Sequence, residues 1–220
     1  MNKIQDLQVD DWVLRYRTPK GDGPHPILLL LHGWTGDENT MWVFESHLPE
    51  DALLIAPRAL HPASQGGYSW RIFEPGQPPP TIENYRPAAD SLLALITSLP
   101  STLNGNVEHL RLVGFSQGAA LAYTLSILYP QRIQACASVA GFVPRGAGEI
   151  MTPNHLEGIP IYISHGVNDE IVPIERARQA VQLLGDAGAE ITYCEADVGH
   201  KLSLDCTRGL DIFFRSQTLK

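Results

Sequence analysis

The sequence predicts an α/β protein whose mostly parallel central sheet is covered by helices on both faces. Two features lead there: short runs rich in Val, Ile and Leu alternate with helical patterns, and hydrophobic residues reach 44% against 18% charged. Strands buried on both faces read as continuous apolar runs, because neither face meets water. The 220 residues suit one domain spanning 1–220, and a domain of that size buries most of its unfolded surface.

Trp12–Tyr16 alternates in polarity and reads as an antiparallel edge strand. Ile27–Leu31, Leu53–Ala56, Leu110–Phe115, Ala135–Val139, Ile159–Ser164 and Glu190–Glu195 read as sheet strands. Pro87–Leu99, Gln117–Leu128 and Ile174–Leu184 repeat apolar residues every three or four positions and read as helices, with Ser203–Phe214 as a closing helix. Two stretches break the alternation. Leu60–Tyr85 contains Pro78-Pro79-Pro80 and suits neither a regular helix nor a central strand. Phe142–Leu156 is shorter and irregular. Long loops inside a compact domain usually serve function, so the insertions near 60–85 and 142–156 are expected to wall a site.

The formal charge of −8 argues against nucleic acid as a partner, since tracking phosphates requires a basic stripe. Arg176 with Arg178 is the nearest approach to a basic patch. The longest apolar run, Ile27–Leu31, is far too short to span a bilayer, so no integral membrane association is expected. The segment Met1–Asp6 has no apolar stretch of signal-peptide length, which points to the cytoplasm. Cys136, Cys194 and Cys206 lack CxxC or zinc-finger spacing. Cys136 and Cys194 sit in apolar, strand-like runs and are expected to be buried structural thiols. No metal or nucleotide motif appears, so no cofactor is expected. Oligomeric state is not encoded in any recognisable pattern.

The chemistry begins at Gly114-Phe115-Ser116-Gln117-Gly118, a G-x-S-x-G between the apolar run Leu110–Phe115 and the small-residue helix Ala119-Ala120-Leu121-Ala122. A turn from strand to helix this tight leaves no room for side chains two residues either side of the serine. Ser116 would project from that corner at a helix N-terminus, where free N–H groups and the dipole favour a developing anion. A serine that merely caps the helix is the competing reading; the strand before and the helix after favour a nucleophile.

A serine hydroxyl needs a base, and the base needs an orienting group. Of eight histidines, His25, His47, His61, His109 and His155 occupy loop or surface-like settings without a motif. His32 and His165 each end an apolar strand before a glycine and suit a buttressing role. His200 follows the last predicted strand, in Val198-Gly199-His200, and so reaches the carboxyl edge of the sheet where Ser116 emerges. Asp169, in the loop His165–Pro173, can meet it from the neighbouring strand end, with Glu170 and Asp197 as rival carboxylates. Ser116, Asp169, His200 is the chain order expected on such a sheet.

An oxyanion also needs donors. The backbone N–H of Gln117 follows from the elbow. A second is expected from His32-Gly33-Trp34-Thr35-Gly36-Asp37, with Trp34 as donor and Gly33 allowing close approach.

Together, Leu31–Asp37, Gly67-Tyr68-Ser69-Trp70, Gly114–Gly118, His165–Pro173 and Gly199-His200 resemble the phospholipase/carboxylesterase family of α/β-hydrolases, which includes acyl-protein thioesterases and bacterial carboxylesterases. The resemblance runs from the first sheet strand to the last. It implies an α/β-hydrolase fold and a small-molecule ester substrate, and it favours Asp169 over Glu170, because Asp169 precedes Val172-Pro173 as the family's acid does. Two positions depart from the pattern. Trp34 stands where many thioesterase-type members carry leucine, and Trp70-Arg71-Ile72-Phe73 replaces the common Trp-Phe-Asp. Both changes point to esters of small to medium acids rather than long-chain acyl proteins or lysophospholipids. The acyl pocket is expected from Trp34, Tyr68, Trp70, Phe73, Phe142, Ile171, Val172 and Leu202.

Overall fold

The computed structural model describes residues 3–72 and 76–217. Its elements run β1 (Gln5–Val9), β2 (Trp12–Arg17), β3 (His25–Leu31), β4 (Leu53–Pro57), β5 (His61–Pro62), β6 (Tyr68–Ser69), α1 (Ile82–Ser98), β7 (Gly105–Phe115), α2 (Gln117–Leu128), β8 (Ile133–Val139), α3 (Ala147–Ile150), β9 (Pro160–Gly166), α4 (Ile174–Asp186), β10 (Glu190–Ala196) and α5 (Leu204–Ser216), with a 3₁₀ segment at Thr40–His47. Eight strands form one sheet in the order β1-β2-β4-β3-β7-β8-β9-β10. From β4 to β10 every pairing is parallel, while β2 pairs antiparallel with both β1 and β4.

The period of two along the strands explains why they are apolar throughout. Ile27, Leu29 and Leu31 join the core on one face, with residues of α1, α2 and α4. Leu28 and Leu30 join the core on the other, with Met41, Leu48 and the α5 residues Leu210, Phe213 and Phe214. Leu53 and Ile55 against Leu54 and Ala56 repeat the division on β4. Helix α2 is buried over nearly its whole length, consistent with a helix apolar on all sides. Its run of alanines lets it lie close against β7 and β8.

Three expectations are corrected here. Trp12–Tyr16 is antiparallel but not an edge, because β1 pairs outside it through Gln5↔Tyr16 to Val9↔Trp12; with its sequence QDLQV, β1 carries too few apolar residues to show an alternation. Helix α1 begins before Pro87 rather than at it. The Asn84 side chain accepts the Thr81 N–H at 2.9 Å, closing the N-terminus and outweighing the loss of one internal bond at the proline. Finally, Cys194 is not a thiol: it forms a disulfide with Cys206, and only Cys136 remains a free, buried cysteine. Cys194 on β10 and Cys206 in the first turn of α5 come to 5.8 Å between Cα atoms because α5 packs back across β10. That separation lies in the range a disulfide requires.

Candidate active site

Strand β7 delivers Ser116 to the carboxyl edge of the sheet, between β7 and the first residue of α2. Its φ of 52° and ψ of −113° place a non-glycine residue outside the ordinary regions, a strain that costs on the order of 1–3 kcal/mol and persists only where packing enforces it. The elbow glycines show the enforcement. A Cβ on Gly114 would lie 2.4 Å from the Gly118 carbonyl oxygen, and one on Gly118 would lie 2.0 Å from that of Leu31. The Ser116 N–H donates to Val139 at 2.9 Å, tying the turn to β8.

His200 lies in the loop after β10 and packs on Phe115, ring centroids 5.0 Å apart. Its Nδ1 is 2.7 Å from Asp169 Oδ2. The other carboxylate oxygen, Oδ1, accepts the N–H groups of Ile171 at 2.9 Å and Val172 at 2.8 Å. Burial pushes the Asp169 carboxyl upward, but the Val172 N–H, the His200 bond and the Ile171 N–H together hold it below the usual carboxylate range. Asp169 is therefore an anion aimed at the imidazole. Of its rivals, Glu170 is exposed, and Asp197 is exposed and accepts a bond from the Asn168 side chain.

His165 and His32 serve the loops. His165 is fully buried; its Nε2 donates to the Val172 carbonyl at 2.7 Å and lies 3.3 Å from Asp169 Oδ2, bracing the acid's loop. His32 Nε2 accepts the Ala59 N–H at 3.1 Å, which leaves Nδ1 to donate to the Gly33 carbonyl at 2.7 Å. The ring is held neutral, because a second proton would displace the Ala59 N–H. Burial lowers the His32 pKa, outweighing the Gly33 carbonyl and the Asp37 carboxylate, which raise it. Below about pH 6.5 the unfolded chain therefore binds a proton that the folded chain resists. The contribution is complete above that pH and is lost as pH falls. The urea midpoint is expected to drop between about pH 7.5 and pH 5.5, with a shallower drop in His32→Gln; equal slopes would show that His32 is not the group responsible.

The expected pocket residues sit in different surroundings. Trp70 is 2% exposed and sits in the core behind the loop after β3, so it is no acyl wall. Its indole N–H donates to the His32 carbonyl at 2.7 Å. Val172 is buried, and its backbone serves Asp169 and His165. Tyr68 lies beneath the Arg58 guanidinium and Phe142 beneath that of Arg176. Ile171 is 70% exposed, and Trp34 is half-buried. Leu202 lines a cavity of about 480 Å³ with Met41, Phe44 and Phe115. Phe73 lies outside the described residues. Sequence reading missed the Gln117 side chain, which bonds to Ser69 and Trp70; no local pattern announces a contact across 47 residues. Among the described residues, no cluster of three or more His, Cys, Asp or Glu side chains is arranged to hold a metal ion, and no helix is long and apolar enough to cross a membrane.

A serine on a strained strand–helix elbow after β7, with a histidine–carboxylate pair from the loops after β9 and β10 of a parallel sheet, is the arrangement of an α/β-hydrolase. The chain belongs to the phospholipase/carboxylesterase family, whose sequence profile matches residues 18–208. It is 32% identical over 100 residues to carboxylesterase SOBER1 of Arabidopsis thaliana, a match covering 44% of each chain. The match to acyl-protein thioesterase 1 of Debaryomyces hansenii is 27% over 180 residues, covering 73% of this chain and 77% of that one. Among solved structures, the Bacillus cereus carboxylesterase superposes with a TM-score of 0.81 at 21% identity, covering 94% of both chains. The aligned segment thus spans less than half the length of the Arabidopsis protein.

Proposed function

We propose that the protein is a serine carboxylic-ester hydrolase acting on small to medium acyl esters. The observation that carries this is a backbone-strained Ser116 next to Phe115, the ring on which His200 packs, with His200 Nδ1 held 2.7 Å from a buried aspartate. Ser116 Oγ attacks the ester carbonyl carbon while His200 Nε2 takes its proton. The carbonyl oxygen, now negative, faces the N–H groups of Trp34 and Gln117. Collapse breaks the ester C–O bond, and the imidazolium returns its proton to the departing alkoxide. A water then attacks the acyl-serine, with His200 again as base, releasing the acid. Asp169 keeps Nδ1 protonated and stabilises the imidazolium.

Trp34, which stands where many thioesterase-type members of the family carry leucine, supports the acyl-size assignment, because a larger side chain next to its donating N–H leaves less room for the acid. Across a series of p-nitrophenyl esters, kcat/KM should peak at short to medium chains and then decline gradually, because each methylene is worth only about 1 kcal/mol in an apolar pocket. Trp34→Leu should move the peak to longer acids. A steady climb to palmitoyl length would instead support an acyl-protein thioesterase or lysophospholipase, a reading favoured by the cavity at Leu202 and Phe115 and by the Debaryomyces relative. Failure of a fluorophosphonate to label the protein would leave a non-catalytic binding relative. The cytoplasmic location is likewise proposed. The Cys194–Cys206 bridge weighs against it, since disulfides are rare in reducing compartments. Maleimide trapping in intact cells decides: a reduced pair supports the cytoplasm and an oxidised pair removes it.

A further inference from the structure

The two proposed oxyanion donors come from stretches of chain far apart in sequence: Trp34 from the loop after β3, and Gln117 from the start of α2. The segment Tyr68–Trp70 bridges them. On one side, Gln117 Oε1 accepts the Trp70 backbone N–H at 2.9 Å, and Gln117 Nε2 donates to Ser69 Oγ at 3.0 Å. Ser69 Oγ passes its own proton to the Arg71 carbonyl at 2.6 Å, so the hydroxyl's direction is set. On the other side, the Trp70 indole Nε1–H donates to the His32 carbonyl at 2.7 Å, and the ring lies against the His32 imidazole, centroids 4.9 Å apart. Tyr68 completes the grip: its carbonyl accepts the Thr35 N–H and its N–H donates to the Gly36 carbonyl, both at 3.0 Å. Ser69, Trp70 and Gln117 are all buried, and in such surroundings an unmet donor or acceptor is costly. The bonds therefore hold one geometry.

We propose that the Gln117 side chain, Ser69 and Trp70 form a clamp that sets the spacing of the Trp34 and Gln117 N–H groups, making these three side chains positioning residues for the oxyanion hole. The inference rests on the esterase reading above. Oxyanion donors are tuned to where the oxygen sits in the tetrahedral state, not to the ground-state carbonyl. A loosened clamp therefore weakens transition-state binding more than substrate binding. It leaves the nucleophile, base and acid in place.

The test uses two clamp variants of the full chain. Trp70→Phe keeps an aromatic ring in the core and removes the donor to His32. Gln117→Leu keeps similar volume and removes both side-chain bonds while retaining the backbone N–H. Each is expected to lower kcat by about ten- to a hundredfold with KM nearly unchanged, short of the roughly 10²–10³ lost when an oxyanion donor is removed outright. Affinity for an alkyl boronic acid, which becomes tetrahedral on the serine, should fall by a similar factor. Ser69→Ala should show the same pattern at smaller size. A merely structural role would lower the denaturation midpoint and leave kcat and boronate affinity at wild-type values in the folded protein. That result overturns the clamp, and should one core variant fail to fold, the other two decide by the same readouts. Wild-type protein that neither hydrolyses esters nor takes up a fluorophosphonate sinks the esterase reading, and the clamp with it.

Discussion

Ser116→Ala is expected to abolish ester hydrolysis and fluorophosphonate labelling while the protein stays folded. The elbow's strain belongs to the backbone, where φ is 52° at residue 116, and an alanine inherits the same dihedrals. The bonds that start helix α2, from the N–H groups of Ala119 and Ala120 to the Ser116 carbonyl, survive the change. So does the bond from N–H 116 to Val139. What disappears is the oxygen that attacks. In a comparable triad, loss of the serine costs roughly a million-fold in kcat, with the remaining rate due to binding and oxyanion stabilisation. Residual turnover of the folded variant at more than a few per cent of wild type would remove Ser116 from the mechanism.

The second large effect is expected at Asp169. Its two oxygens do different work: Oδ1 takes two backbone N–H groups and Oδ2 meets His200 Nδ1. In Asp169→Asn the amide oxygen satisfies the backbone pair, which turns the NH₂ group toward the imidazole. A donor there favours the tautomer with a bare Nδ1 and a protonated Nε2, and a protonated Nε2 cannot accept the serine proton. At a comparable site that change lowers kcat by about 10⁴. Glu170→Gln and Asp197→Asn alter exposed carboxylates and should shift stability by no more than about 0.5 kcal/mol, with turnover close to wild type. Measured side by side, the three variants identify the acid: a dead Glu170→Gln or Asp197→Asn beside an active Asp169→Asn would put a different carboxylate in the role. Neither prediction depends on the acyl preference, so each stands if the ester series shifts the substrate reading.

Much of this protein is determined by local sequence. Runs such as Ile27–Leu31 are buried on both faces, as strands of a parallel sheet covered on both sides must be, and their alternation with helical patterns separates that reading from a sandwich. The elbow is equally local: strand, glycine, serine, glycine and small-residue helix are contiguous, and the steric demand acts over five residues. The order Ser116, Asp169, His200 follows from strand order alone, because each residue sits just past the end of its strand. What the sequence leaves open is set at long range. Residues 5–9 carry only two apolar residues, Leu7 and Val9, too short an alternation to announce a strand, and β1 pairs along the backbone edge that β2 offers. Cys194 and Cys206 are bridged because α5 folds back over β10, which their spacing does not reveal. Trp70 reads as a pocket aromatic in sequence, yet the fold seats it in the core behind the loop after β3, with its indole N–H on the His32 carbonyl. Periodicity and steric demand act between neighbours and are written in the chain. Which buried donor meets which acceptor depends on how distant segments pack, and that is decided only when the sheet and its loops close together.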